Sequence, residues 1–244
     1  VLTKNGVVSG VTIDDQINIS CRSLVLTCGT FLNGLVHVGG RKISAGRMGE
    51  EASDGITESL VSLGFTSGRL KTGTPPRLQS GSIDWDKVEG VFGDKNPRPF
   101  SFRTTNFDPP NLPCHMTNTN TITHEIILGS LSESPLYCNE IEGVGPRYCP
   151  SIEDKVVRFE ERPSHHLFLE PEWVGSDQIY TNGFSTSLPE EVQLKALRTV
   201  PGLKNVSLYR PGYAIEYDFF LPSQLKSSLE TKAVRGLFFA GQIN

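Results

Sequence analysis

Residues 238–242 read Phe-Phe-Ala-Gly-Gln, and residues 26–30 read Leu-Thr-Cys-Gly-Thr. In both segments a short apolar run, typical of a buried strand, ends in a glycine. Glycine has no side chain, so a bound cofactor can approach the backbone closely, and the carboxyl edge of a sheet is a usual ligand site. Each segment alone is typical of an ordinary tight turn. The occurrence of two such segments makes Gly29 and Gly241 candidates for contact with a bound cofactor.

The rest of the chain carries both strand and helix patterns. Residues 1–30 predict β-structure, because apolar and small residues alternate there. Residues 54–63 predict a helix that Asp54 caps and Gly64 ends. Residues 121–131 predict a second helix, which must end before the following Ser-Pro pair.

The second half of the chain continues the mixture. Ser187 and Glu190 have capping-box spacing, which predicts a helix through Leu197. Residues 90–113 are rich in Pro, Asn, Asp and Phe without periodicity, and predict a long irregular loop. Residues 235–241 predict a buried strand. Mixed strands and helices without an internal repeat indicate an α/β or α+β class.

Length and composition set outer limits. The chain has 244 residues and a formal net charge of −4, which is ordinary for a globular protein. No apolar run is long enough for a bilayer and no signal segment is visible, so we expect a soluble intracellular protein. Five cysteines without zinc spacing suit a reducing compartment. Because the chain starts without Met and stops after a strand, we expect a fragment.

The segment 143–155 is the main candidate for chemistry. Ser151 and Asp154 predict a capping box, which puts Cys149 just before a helix N-terminus. Three cations are close in sequence: Arg147, Lys155 and Arg158. The helix end and these cations favour a thiolate, the nucleophilic form of cysteine. The alternative is a buried inert thiol, the common state of free cysteine.

The other polar groups are interpreted more plainly. Structural roles are expected for four cysteines, two in core strands and two without cationic neighbours: Cys21, Cys28, Cys114 and Cys138. Six basic residues suit phosphate or other anions, or else form charged surface: Arg41, Lys42, Arg47, Arg69, Lys71 and Arg77. Aromatic stacking platforms are not evident, so composition supports RNA binding weakly. His124 could face a pocket with Thr123 and Glu125, but is rather expected to be solvated, and the pair at 165–166 lacks metal-ligand spacing.

Six strings of residues occur in an order that is similar to the MnmG family, also called GidA. They lie at 68–77, 143–155, 168–172, 182–189, 210–218 and 236–244. Together they span essentially the whole chain, and six rare strings in order are far more specific than one glycine motif. The chain therefore resembles that family throughout.

This resemblance implies a fold of the α/β class, as part of a two-dinucleotide-binding-domain FAD flavoprotein with an inserted mixed α/β domain. Residues 1–75 would form the end of the FAD-binding domain leading into the insertion. Residues 76–210 would form the inserted NAD-binding or substrate domain, and residues 211–244 would return to the FAD-binding domain.

The family resemblance also implies an activity. Such proteins add a carboxymethylaminomethyl-type group to C5 of the wobble uridine of certain tRNAs, together with the GTPase MnmE. FAD and NAD(H) serve as cofactors, 5,10-methylene-tetrahydrofolate supplies the one-carbon unit, and glycine or ammonium supplies nitrogen. A homodimer is implied, located in the cytoplasm, or in mitochondria if the source is eukaryotic, with no membrane association.

Site residues follow by motif. Cys149 matches the family's motif cysteine, which attacks C6 of the uridine or acts as acid and base. Gln242 matches a flavin contact, joined by Gly241, Gly29 and, less directly, Ser53. The stretch that matches the NAD segment consists of Gly145, Pro146, Arg147, Tyr148, Pro150, Ser151, Ile152, Glu153, Asp154, Lys155, Val156, Val157, Arg158 and Phe159, with Cys149 among them. No metal site is implied.

The chain departs from the family pattern in what it lacks. It does not contain the first FAD fingerprint, a second functional cysteine or the helical region that docks MnmE, so we expect it to bind FAD poorly and to be inactive alone. Two other functions stay open at this point. One is a folate-dependent tRNA uridine methyltransferase flavoprotein, and the other is a non-catalytic scaffold that binds tRNA or a partner.

Overall fold

A computed structural model of the chain describes residues 1–14, 16–145 and 150–244. Its strands are β1 Leu2–Lys4, β2 Val7–Ile13, β3 Ile17–Ser20, β4 Leu24–Leu26, β5 Leu35–Val38, β6 Arg41–Ser44, β7 Ser67–Thr74, β8 Arg77–Gln79, β9 Glu89–Val91, β10 Cys114–Asn118, β11 His166–Pro171, β12 Gln178–Asn182, β13 Leu208–Arg210, β14 Tyr213–Phe220 and β15 Leu237–Phe239. Its α-helices are α1 Ile56–Ser62, α2 Thr121–Gly129, α3 Ile152–Arg158 and α4 Glu190–Leu197. Short 3-10 turns lie at Ser80–Ser82, Trp85–Lys87, Leu131–Glu133, Pro222–Gln224 and Gly241–Ile243.

The largest sheet is built from the middle of the chain. It has six antiparallel strands in the order β13-β8-β12-β11-β10-β9, all between residues 77 and 210. Its core includes Leu167 and Leu169 from β11, together with Ile127 of α2 and Ile152 of α3. Helices thus cover the face of this sheet with their apolar residues.

The strands before residue 75 and after residue 212 form three other sheets. One is the meander β1-β2-β3, and another has the order β6-β5-β14-β7 with antiparallel pairs. The third is the parallel pair β4 and β15. Both ends of the chain therefore contribute to one region, which has its own core around Leu32, Phe220 and Phe239.

Most predicted elements are confirmed. Residues 1–30 are largely β-structure, and the loop predicted at 90–113 is irregular from residue 92 onward, since residues 90 and 91 belong to β9. The strand predicted at 235–241 corresponds to β15, and the helix predicted at 121–131 is α2. The mixed α/β class is likewise confirmed.

Two predicted helix caps are wrong. Gly55, not Asp54, is the N-cap of α1, and it has no side-chain cap. Pro189 is the N-cap of α4, so the predicted capping box of Ser187 does not form. The Ser187 amide and hydroxyl instead point to the carboxyl of Glu153. A partner 34 residues away in sequence has displaced the local cap.

Candidate functional site

The two glycine turns lie side by side. β4 and β15 run parallel with Leu26 opposite Phe239, and the Ala240 amide donates to the Leu26 carbonyl at 3.0 Å. Parallel neighbours end at the same edge, so both turns leave the sheet there. Gly29 has φ +57° and Gly241 φ +78°, conformations that favour glycine.

Space at these turns suits a close ligand. A Cβ built on Gly241 meets nothing within 4 Å, and one built on Gly29 meets only a carbon of Phe31 at 3.9 Å. Gln242 follows Gly241 and is exposed. The backbone at this edge is therefore open to a flat or extended molecule.

Ser53 lies close to the first of the two turns. Its amide donates to the Phe31 carbonyl at 2.8 Å, and its carbonyl accepts from the Asn33 amide at 3.2 Å. Ser53 and Leu26 line the same cleft, which has a volume of about 770 Å³. The structure thus brings Ser53 to the segment that follows Gly29, although the two are distant in sequence.

The start of α3 is capped as predicted. The Ser151 hydroxyl accepts from the Asp154 amide at 3.1 Å, and the Asp154 carboxylate accepts from the Ser151 amide at 3.2 Å. Cys149, together with Pro146, Arg147 and Tyr148, lies outside the described residues. The proposed role of its thiol therefore rests on the capped helix after it, the fixed chain before it and the family motif.

The residues matched to an NAD segment face different ways. Ile152, Glu153 and Val156 are buried, as is the cap residue Ser151. The residues available to a ligand are those that are exposed or half-buried: Gly145, Pro150, Asp154, Lys155, Val157, Arg158 and Phe159. Any contact of this segment with a dinucleotide would fall to this second set.

Positive charge near α3 is partly neutralised. Arg158 forms an exposed ion pair with Asp154 at 3.8 Å, and the Lys155 ammonium donates to the Gly183 carbonyl at 2.9 Å. Asp154 also contacts the hydroxyl of Tyr137, and burial together with the nearby carboxylates raises the pKa of Tyr137 to about 12. The local charge is thus more balanced than the sequence alone predicts.

Glu153 is a fully buried carboxyl group in the first turn of α3. It accepts from the Ser187 amide at 3.0 Å and from the Ser134 hydroxyl at 3.3 Å. Its second oxygen has no partner among the described residues. Burial raises the pKa of Glu153, while the hydrogen bond from Ser187 and the charge of Lys71 act in the opposite direction.

The six basic residues do not form one anion site. Five are paired with carboxylates: Arg41 with Glu190, Lys42 with Glu140, Arg47 with Glu50, Arg69 with Asp218, and Arg77 with Glu172. The sixth, Lys71, is only 4% exposed. The alternative of a charged surface holds for Arg41, Lys42 and Arg47, whereas the other three are structural.

Two further expectations are corrected. His124 is not solvated, because it is buried and its Nε2 lies 2.7 Å from the Thr119 hydroxyl. Cys21 and Cys28 follow strands β3 and β4 rather than lying within them, although both pack against the core. No group of metal-ligating side chains occurs within the described ranges.

Exposed aromatic residues were missed in the sequence. The loop 92–113 is exposed almost throughout, with Phe100 and Phe102 fully exposed and Phe92 and Phe107 also accessible. Arg98 and Arg103 lie between and beside them, and in the described part of the chain neither forms an ion pair. Two Phe residues flanked by Arg within residues 98–103 were the available signal.

Comparison with known proteins settles the family. The family model described as "Glucose inhibited division protein A" matches residues 1–244. The chain belongs to this family. A solved structure of Aquifex aeolicus GidA superimposes with a TM-score of 0.92 at 45% identity, covering 100% of this chain and 42% of that one.

Relatives of this family are named as tRNA-modifying enzymes. The "tRNA uridine 5-carboxymethylaminomethyl modification enzyme MnmG" of Cytophaga hutchinsonii is 52% identical over 245 residues, covering 100% of this chain and 39% of that protein. The MnmG of Syntrophotalea carbinolica is 55% identical over 237 residues, covering 97% and 38%. The chain thus spans about two fifths of the relatives that it matches. No helix in its described part is long and apolar enough to cross a membrane.

Proposed function

We propose that the chain is the part of a tRNA wobble-uridine modification enzyme that contributes one wall of a flavin site and the reactive cysteine. The observation that carries this proposal is the paired glycine edge of β4 and β15 in a chain that matches the family over residues 1–244. The named relatives modify uridine at its 5 position to a carboxymethylaminomethyl form.

FAD fits the glycine edge on the geometry described. Gly29 and Gly241 leave open backbone at adjacent strand ends, and Gln242 is exposed beside them. These residues, with Ser53 in the neighbouring cleft, would hold the flavin and its ribityl chain. Bound there, FAD supplies redox chemistry that amino acid side chains do not have.

Cys149 supplies the nucleophile in this proposal. Its thiolate adds to C6 of the uridine, and the electrons of the C5–C6 double bond move onto O4 as an enolate. C5 then attacks an electrophilic one-carbon unit. Loss of the C5 proton and expulsion of the thiolate restore the double bond. The capped N-terminus of α3 favours the thiolate, although Asp154 offsets part of the positive charge.

The proposed co-substrates and protein partners rest on the family motifs. NADH would reduce the flavin, with the exposed members of residues 145–159 as its contacts. Methylene-tetrahydrofolate would supply the one-carbon unit, and glycine or ammonium the nitrogen. The GTPase MnmE and a second copy of the chain would be the protein partners, in the cytoplasm or in mitochondria.

The exposed loop 92–113 supports contact with RNA. Unpaired bases stack on aromatic rings, and arginine binds phosphates, so Phe100, Phe102 and Arg103 form a suitable combination. The formal net charge of −4 does not oppose this, because RNA binding depends on local charge.

The test compares two cysteines in the full-length protein. Cys149→Ser is expected to abolish formation of the modified uridine in tRNA while leaving the Kd for tRNA within about threefold, since one thiol adds little binding energy. Cys138→Ser, at an exposed thiol, is the control and is expected to keep both properties. Full modification by Cys149→Ser would contradict catalysis by this residue and favour a scaffold.

A further inference from the structure

A buried carboxylate fixes the chain just before the segment that carries Cys149. One oxygen of Glu216, Oε1, accepts from two backbone amides, Glu142 at 2.8 Å and Gly143 at 2.7 Å. Glu216 lies in the middle of β14 and is 3% exposed. Two bonds to one acceptor, shielded from water, hold a loop more firmly than exposed contacts do.

The other oxygen of Glu216 is occupied by a histidine. His37, in β5, is fully buried, and its Nε2 lies 2.8 Å from Oε2 of Glu216. A carboxylate only accepts, so Nε2 carries the proton and donates it. Burial lowers the pKa of His37, and the ring is thus neutral near pH 7. Each Glu216 oxygen therefore has its own partners: Oε2 accepts from His37, and Oε1 accepts from the two loop amides.

The backbone after Gly143 is fixed to strand β7. The Lys71 amide donates to the Val144 carbonyl at 3.1 Å, and the Val144 amide donates to the Arg69 carbonyl at 3.4 Å. A Cβ on Gly143 would lie 2.7 Å from the Leu70 carbonyl carbon and 3.0 Å from the Lys71 amide nitrogen. Only glycine permits this approach.

The chain after Cys149 is fixed as well. The Ile152 amide donates to the Ser185 carbonyl at 2.7 Å, and Glu153 accepts from the Ser187 amide at 3.0 Å. Residues 146–149 are thus bounded on both sides by backbone held through a buried glutamate. Glu216 belongs to the sheet of β5, β7 and β14, whereas Glu153 belongs to the region of the six-stranded sheet.

We infer that Glu216 is a positioning residue, which holds residues 142–145 so that Cys149 meets the uridine in the correct place. This inference rests on the proposed function, because it assigns Glu216 a role through Cys149. It acts by accepting hydrogen bonds, not by its charge. Small displacements of a reacting group are enough to slow an enzyme strongly.

The test uses the full-length enzyme with three substitutions. Glu216→Ala removes both acceptors, whereas Glu216→Gln keeps an oxygen for the two amides and can pair with the other tautomer of His37. Asp218→Asn is the matched control, since Asp218 lies two residues along the same strand, is buried and pairs with Arg69 rather than with the loop. Two quantities are measured: kcat and KM for tRNA modification, and the rate of iodoacetamide alkylation at Cys149 relative to exposed Cys138.

Glu216→Ala is expected to lower kcat by about tenfold or more with KM for tRNA within about twofold, because misplacement affects the reacting geometry. Its alkylation ratio of Cys149 to Cys138 is expected to fall about fivefold, toward that of an ordinary thiol. Glu216→Gln is expected to stay within about threefold of the wild type in both quantities. Asp218→Asn should leave the alkylation ratio unchanged.

Two results would overturn the inference: a Glu216→Ala enzyme that matches Asp218→Asn, or a Glu216→Gln enzyme as defective as Glu216→Ala. If Glu216→Ala does not yield folded protein, Gly143→Ala tests the same segment by forcing it off β7, with the same expected fall in the alkylation ratio. Failure of the proposed function is recognised separately, since Cys149→Ser would then retain modification whatever the Glu216 variants do.

Discussion

Glu153 shows how one buried group links structure to pH. Burial raises the pKa of Glu153, so the folded protein holds this proton at higher pH than the unfolded chain does. Its contribution to stability is complete below the ordinary value of 4.5 and is lost as the pH rises through the folded pKa. Between the unfolded and the folded pKa of such a group, a rise of one pH unit lowers the free energy of unfolding by about 1.4 kcal/mol.

Glu153→Gln removes this titration from the full-length protein. We expect the thermal midpoint of the variant to decline less than that of the wild type as the pH is raised above 4.5, because the titrating group is gone. Glu160→Gln, at an exposed position just after α3, is the control and should follow the wild type. Equal declines for Glu153→Gln and wild type would refute the assigned burial effect.

Gln193 provides a second residue-scale prediction. It is fully buried, its Nε2 donates to the carbonyls of Leu188 and Gly212, and its Oε1 accepts from the Gly212 amide at 2.7 Å. Gln193→Leu leaves these backbone groups without partners and is expected to cost about 2–4 kcal/mol. Chemical denaturation measures the loss, with exposed Lys195→Ala on the same helix expected to change stability by less than about 0.5 kcal/mol.

At the scale of elements, the parallel pair β4 and β15 makes a prediction about flavin. Gly241→Ala is expected to weaken FAD binding to the full-length protein by about tenfold, because its φ of +78° strains any other residue and a methyl group occupies the open edge. Equilibrium titration followed by flavin fluorescence measures the Kd.

Gly175 is the matched control for this substitution. Its φ is +77°, a Cβ there also meets nothing within 4 Å, and it lies in the turn between β11 and β12. Gly175→Ala therefore carries the same backbone strain without touching the glycine edge. If both variants weaken FAD binding equally, the loss comes from backbone strain that destabilises the protein. The glycine edge is then not the flavin site.

Local signals predicted elements well, and distant contacts explain the failures. The capping box at Ser151 formed because both of its partners lie within one turn. The one at Ser187 did not, because Glu153 takes its hydrogen bonds, and no local pattern reveals a buried carboxyl 34 residues away. His124 was misjudged for the same reason, since Thr119 and the ring of His165 enclose it.

At the scale of the whole molecule, the class followed from the mixture of strand and helix patterns, and the two strands from apolar runs that end in glycine; their parallel pairing was not predicted. The role of Glu216 did not, because it depends on β14 passing beside a loop 73 residues earlier in the chain. The basic residues were predicted as a group, yet four of their five carboxylate partners come from distant segments, as Arg69 and Asp218 show. Pairing across the fold, not composition, decides which charges stay available.

The loop 92–113 extends the proposal to the substrate. Phe100→Ala combined with Phe102→Ala is expected to raise the Kd for tRNA by about tenfold, in keeping with the loss of one stacked base. Trp173→Ala removes an aromatic side chain exposed on another turn and should leave the Kd unchanged. Filter binding at a fixed salt concentration measures the Kd for tRNA. An unaltered Kd in the double variant would show that this loop does not contact the RNA.

The most direct test of the account is the nucleoside content of tRNA from cells that lack the gene. Mass spectrometry of the digested wobble position is expected to show the carboxymethylaminomethyl group missing from C5 of uridine, with restoration by the wild-type gene and none by its Cys149→Ser form. Unchanged amounts of that nucleoside in the deletion strain would contradict the assignment of this chain to wobble-uridine modification.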